Sequence, residues 1–129
     1  MTADDARIRE IMTKRSKSGE LPCARAFGAA EELGVLPATI GRYADEMGVR
    51  LVKCQLGLFG YKPEKKIVQP RDSVSFELKA AISDRLVDGR LPCAAAWEIA
   101  DRLGLKKMDV SGACETLDIK IKPCQLGAF

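Results

Sequence analysis

Residues 19–34 read GELPCARAFGAAEELG and residues 89–104 read GRLPCAAAWEIADRLG, so one pattern occurs twice in the chain. The stretch CQLG at 54–57 recurs at 124–127 with the same offset, and no gap is needed to align the two halves. This indicates an internal duplication. We predict two units of one fold, residues 1–60 and 72–129, joined by a linker at 61–71 (YKPEKKIVQPR). Units of this size are near the lower limit for folding alone, so we expect them to pack on each other.

Each unit is predicted to contain three helices and a short strand. Apolar residues at helical spacing, with glycine and proline at the expected ends, define the helices. The opening helices are placed at 3–17 and 75–87, short second helices after Pro22 and Pro92, third helices at 37–47 and 107–117, and strands at 49–53 and 119–122. The predicted fold class is therefore mainly α.

The composition excludes several classes of function. The 129 residues are 47% hydrophobic and 30% charged, which is typical of a globular protein. No histidine is present, so imidazole bases, Ser-His or Cys-His nucleophiles and histidine zinc sites are excluded. Without a phosphate-binding loop or GxGxxG motif either, we predict neither an enzyme nor a cofactor. No long apolar run or signal-peptide pattern occurs, so we expect a cytoplasmic protein that does not contact membranes.

Three helices with a glycine turn between the second and third, followed by a strand, resemble the helix-turn-helix superfamily in its winged-helix form. Small and aliphatic residues around that turn carry the resemblance: Ala29, Ala30, Leu33, Gly34, Val35, Ile40 and Met47 in the first unit, and Ile99, Ala100, Leu103, Gly104, Leu105, Val110, Ala113 and Leu117 in the second. Small alanines let two helices cross closely, and glycine permits the turn. The chain departs from the pattern in lacking a second wing strand and in carrying Tyr43. The resemblance implies two tandem winged-helix-like units.

In this superfamily the third helix enters the DNA major groove, and basic side chains elsewhere hold phosphates. The net charge of +3 permits an anionic partner without requiring one. Basic residues also cluster in the first helix (Arg7, Arg9, Lys14, Arg15, Lys17), in the linker, and at Lys120 and Lys122. The candidate DNA-binding residues are Thr39, Arg42, Lys106, Lys107, Ser111, Lys65 and Lys66. The resemblance thus implies a small transcriptional regulator that binds double-stranded DNA.

Two features of the third helices fit a different role. Asp45 and Glu115, at matching positions, would be repelled by phosphate. Gly41 and Gly112, which we place among the outward positions, suit the close approach of another backbone or helix. The alternative function is a protein-interaction adaptor or homodimer on the same fold, with a cysteine-bound metal or redox-sensing thiols. Phe27 and Trp97, also at matching positions, either fill the core or form the surface where the units meet.

Five cysteines form an odd set, which in a reducing compartment favours thiols or metal ligands over disulfides. Cys23 and Cys93 begin second helices, where the helix dipole favours a thiolate, and Cys54 and Cys124 follow the strands. We expect Cys23 near Cys54 and Cys93 near Cys124. Three interpretations of these four residues remain open: buried apolar thiols, a thiolate-bound metal or iron–sulfur cluster, and a redox-switched pair. We predict reduced, buried thiols without metal, and Cys114 in the core.

Overall fold

The computed structural model of the chain describes residues 3–62 and 65–128. Within these ranges the fold is mainly helical, as predicted, with one small sheet. The elements in chain order are α1 (Ala3–Arg15), β1 (Glu20–Pro22), α2 (Cys23–Leu33), α3 (Pro37–Met47), β2 (Arg50–Val52), α4 (Phe76–Asp84), α5 (Cys93–Leu103) and α6 (Lys107–Leu117). None of these helices combines the length and apolar character that a membrane span needs.

The second and third helices occur at equivalent positions in both halves, here called the first copy (1–60) and the second copy (72–129). The bounds predicted for α3 and α6 are confirmed. The opening helices α1 and α4 end two and three residues earlier than predicted, because the chain leaves each helix to form a tight hairpin turn. Lys17 pairs with Glu20 and Val87 with Arg90, and both central residues of each turn have positive φ.

The sheet consists of β1 and β2, which pair in parallel with Glu20 opposite Arg50 and Pro22 opposite Val52. In the second copy the strand predicted at 119–122 is reduced to a single bridge between Leu91 and Ile121. The N–H of Leu91 donates to Lys120 and the N–H of Lys122 donates to Leu91, but the bond from the Arg50 N–H to the carbonyl oxygen of Gly19 has no counterpart among the described residues of the second copy. The prediction of a strand therefore holds for the first copy alone within the described residues.

The two CQLG tails are exchanged between the copies. Leu56, from the first copy, is fully buried in the core of the second, beside Val110 and Ala113. Leu126, from the second copy, is buried in the core of the first, beside Ile40 and Ala44. Each copy therefore receives part of its core from the other.

A second contact between the copies is aromatic. The rings of Phe27 in α2 and Trp97 in α5 have centroids 4.3 Å apart and are tilted by 40°. Trp97 packs against the cores of both copies. Of the two interpretations for this pair, the structure favours a surface on which the copies meet.

Glycine makes the approach of the tail to α3 possible. A Cβ atom built on Gly41 would lie 1.7 Å from the carbonyl oxygen of Leu126, which no structure tolerates. In α6, a Cβ atom on Gly112 would lie 2.8 Å from the carbonyl oxygen of Gln69 in the linker. The expectation that these glycines admit another backbone is confirmed.

We predict that Gly41→Ala destabilises the whole chain, because the added methyl must displace the tail backbone. The expected loss in free energy of unfolding is about 3 kcal/mol, measured by urea denaturation. Gly28→Ala is the matched control, since its Cβ meets only the flexible end of Arg15 at 3.3 Å. That control should be neutral or gain up to about 1 kcal/mol of helix propensity. Equal stabilities for the two variants would contradict the exchanged tail.

Candidate nucleic-acid interface

The third helices have less free surface than the resemblance implied. One face of α3, including Ile40, Gly41 and Ala44, is buried under the core and the exchanged tail. The equivalent face of α6 is buried over Val110–Cys114. Exposed positions remain at the opposite face, with Ala38, Arg42, Asp45 and Glu46 in α3 and Met108 and Thr116 in α6.

Ser111 lies in the interior, so the prediction that it faces DNA is wrong. Its side chain is completely buried, and its Oγ donates a hydrogen bond to the carbonyl oxygen of Leu56 at 2.6 Å. Gly41 and Gly112, also placed outward by the helical pattern, are buried as well. The exchanged tails and the linker cover this face. Both segments are distant in sequence from the helix that they cover, so the pattern within each helix does not predict these contacts.

We predict that Ser111→Ala lowers the free energy of unfolding by about 1–3 kcal/mol, because a buried carbonyl loses its donor. Ser83→Ala, at an exposed serine of α4, is the control and should change stability by less than about 0.5 kcal/mol. Denaturant melts of both variants test this. An unchanged Ser111→Ala melt would contradict the hydrogen bond to the tail.

The other basic candidates on the third helices remain accessible. Arg42 is exposed, with its guanidinium carbon 5.6 Å from the centroid of the Tyr43 ring. Lys106 is exposed at the start of α6, and Lys107 holds its Nζ 4.7 Å from the centroid of Trp97. Thr39 is half-buried in the first turn of α3. Aromatic rings thus position two of the three cations.

Acidic side chains on the same helices are largely neutralised within the chain. Glu46 of α3 pairs with Arg9 at 3.0 Å. In α6, Asp109 pairs with Arg71 at 2.9 Å, and Glu115 pairs with Lys66. Asp45 forms no ion pair among the described residues. The repulsion that Glu115 was expected to exert on phosphate is therefore reduced.

The linker is part of the surface of the second copy. The N–H of Arg71 donates to the carbonyl oxygen of Gly112 at 3.3 Å, and the hydroxyl of Thr116 donates to the carbonyl oxygen of Arg71 at 2.7 Å. Val68 is buried. Lys65 and Lys66 are both exposed, but Lys66, predicted to bind DNA, pairs with Glu115.

A cluster of cations that the sequence did not place together surrounds the strands of the first copy. We call it the basic groove: a cavity of about 380 Å³ lined by Arg15, Lys17, Arg25 and Lys53, together with Ser18, Glu20, Pro22 and Val52. A neighbouring cavity of about 360 Å³ shares Glu20 and Val52 and adds Arg50, Lys62 and Lys65. Sequence patterns could not find this cluster, because only the pairing of β1 with β2 brings residues 15–25 to residue 53.

Burial controls the chemistry of the cysteines. It raises the pKa of Cys23 from the usual 9.0 to about 11, despite a hydrogen bond from Gln55 Nε2 at 3.6 Å. Burial likewise raises the pKa of Cys54 and of Cys93, and raises that of Cys114 to about 12. The expectation of a thiolate at Cys23 and Cys93 is wrong, because burial disfavours the charged form and raises the pKa of both thiols.

The repeated thiols interact electrostatically both within and between the copies. A charge on Cys54 would raise the pKa of Cys23, and a charge on Cys124 would raise that of Cys93. Cys23 and Cys54 also interact with Cys93 and Cys124 of the other copy, respectively. Among the described residues no group of three or more cysteine or acidic side chains could hold a metal ion. Cys23, Cys54 and Cys93 are buried as predicted, whereas Cys124 is only partly buried.

We predict that stability falls as pH rises above about 9. Unfolded thiols ionise near pH 9, while buried Cys23 keeps its proton until its pKa of about 11, so unfolding releases a proton in this window. Between the unfolded and folded pKa values, each such thiol should lower the free energy of unfolding by about 1.4 kcal/mol per pH unit. Urea melts at pH about 8 and about 10 test this, with Cys23→Ala expected to weaken the dependence. The prediction fails if the variant shows the same slope.

No protein-family model, curated protein or solved structure matches this chain.

Proposed function

We propose that this chain is a small DNA-binding transcriptional regulator built from two tandem winged-helix-like helix-turn-helix units. The observation that supports it best is the balance of charge on the third helices. Three of their four acidic side chains have basic partners inside the chain, whereas Arg42, Lys106 and Lys107 form no ion pair among the described residues. The free charge on this surface is therefore mainly positive.

The position of these cations suits contact with a duplex. Lys106 and Lys107 stand at the N-terminus of α6, where the helix dipole adds partial positive charge. Arg42 is one turn into α3, with Thr39 nearby as a hydroxyl donor. Arginine and lysine at such positions bind phosphates or donate hydrogen bonds to guanine. Threonine can donate to the sugar-phosphate backbone or to a base. Because Ser111 is buried, base contacts would fall mainly to Arg42 and Lys106.

We predict that the chain binds duplex DNA with an affinity that falls steeply with salt, because its cations displace condensed counterions. Replacing Arg42, Lys106 and Lys107 by glutamine should weaken binding by roughly a hundredfold, because each of the three lost contacts contributes on the order of 1 kcal/mol. Fluorescence anisotropy with mixed genomic duplexes measures both effects. The charge-matched control replaces Lys79, Arg90 and Lys122, all exposed, by glutamine.

A second candidate function has its own supporting observation. A cavity of about 640 Å³ lies between α3, β2 and the two tails, lined mainly by apolar residues including Leu51, Leu58, Phe59 and Leu126. The equivalent cavity beside α6 is about 330 Å³, with Lys66 at its edge. An apolar groove of this kind fits a protein partner. Absence of DNA binding at low salt would overturn the regulator and leave the adaptor as the better proposal.

A further inference from the structure

The positive charge of the chain is unequally divided. Residues 1–71 contain 13 lysines and arginines against 9 aspartates and glutamates, whereas residues 72–129 contain 8 against 9. The excess therefore belongs to the first copy and the linker. The basic groove is where part of that excess converges.

Three structural features gather the cations of the basic groove. The hairpin turn at 18–19 presents Lys17 at the end of α1. Parallel pairing of Pro22 with Val52 places Lys53 beside the start of α2. In the first turn of α2, Arg25 donates from Nη1 to the carbonyl oxygen of Arg15 at 3.3 Å, which fixes it against the end of α1.

Negative charge at the basic groove is scarce. Glu20 is the one acidic residue in its lining, and its nearest cation is Lys62 of the adjacent cavity, 3.9 Å away. Arg15 is engaged by Glu32. Lys17, Arg25 and Lys53 form no ion pair among the described residues. Like charges held around one cavity repel one another, so binding of an anion relieves an unfavourable interaction.

Helix α2 adds to this positive potential. Its N-terminus opens at Pro22, which lines the groove and offers no side-chain cap to the first N–H groups of the helix. The helix dipole therefore reinforces the four cations at this point. The cavity of about 380 Å³ is large enough for a phosphate group and its sugar.

The second copy differs at the same positions. Val87, Ala95 and Pro123 stand where the first copy has Lys17, Arg25 and Lys53. Cations of the second copy occur at other places on this edge, at Arg90 and Lys122. The duplicated edge thus supplies a natural comparison with similar charge but different geometry.

We propose that the basic groove binds phosphates of the DNA backbone, so that the first copy anchors the duplex. This inference rests on the proposed function and assigns the main phosphate contacts to residues outside the third helices. Arg50, Lys62 and Lys65 in the adjacent cavity continue the positive surface along the same edge. Such contacts position the protein without reading sequence.

The test compares two full-length variants of equal charge. Lys17, Arg25 and Lys53 are replaced by glutamine in one variant, and Lys79, Arg90 and Lys122 in the other. All six side chains are exposed, and thermal melts verify that both variants are folded. Anisotropy titrations with a short fluorescent duplex are repeated from about 50 to 200 mM salt.

The groove variant should bind at least about tenfold more weakly, and its slope of log affinity against log salt should decrease by about two to three. The control should change far less, since Lys79, Arg90 and Lys122 are not among the residues that line the basic groove. Equal losses in the two variants would overturn the groove as a specific site, while DNA binding itself would stand. A wild-type chain that binds no duplex would overturn the regulator and the groove's assigned ligand together.

Discussion

The structure depends on the exchange of the two CQLG tails. The carbonyl oxygen of Leu126 packs against Gly41, and the carbonyl oxygen of Leu56 accepts a hydrogen bond from the hydroxyl of Ser111. Each leucine is buried in the core of the opposite copy. Burial of one such side chain stabilises the fold by about 1.5–3 kcal/mol. Separating the copies would expose both leucines and open both cores. Two units too small for much stability of their own are thereby joined into one cooperative body.

This exchange also limits what the third helices can do. A tail occupies one face of each helix, and the linker occupies a further part of α6. The basic side chains that remain accessible to an outside partner are Arg42 in α3 and Lys106 and Lys107 at the start of α6. Under the proposed function, such a sparse surface would read few bases, so most of the affinity for DNA would come from phosphate contacts. The basic groove, at the strand edge of the first copy, supplies cations of the kind that this requires.

Local signals in the sequence predicted the helices well. Pro37 and Gly48 bound α3, and the same helix recurs in phase at 107–117, so its limits follow from neighbouring residues. Gly41 itself predicts that another backbone lies close to α3. The sequence does not show that this backbone is that of Leu126, because Leu126 is distant in the chain. Ser111 was misplaced since the helical period cannot tell a face covered by a remote tail from one in water. The groove was missed because it needs the register of β1 and β2.

Divergence between the copies determines which of them holds the linker. Gly112 lets the linker backbone pass over α6, and Glu115 and Asp109 then bind Lys66 and Arg71. In α3 the equivalent of Gly112 is Arg42, whose side chain would block that path. The linker therefore fits α6 and not α3, so duplication of one unit has produced two different surfaces. The surface of α6 is covered by the basic linker, whereas the surface of α3 leaves Arg42 exposed.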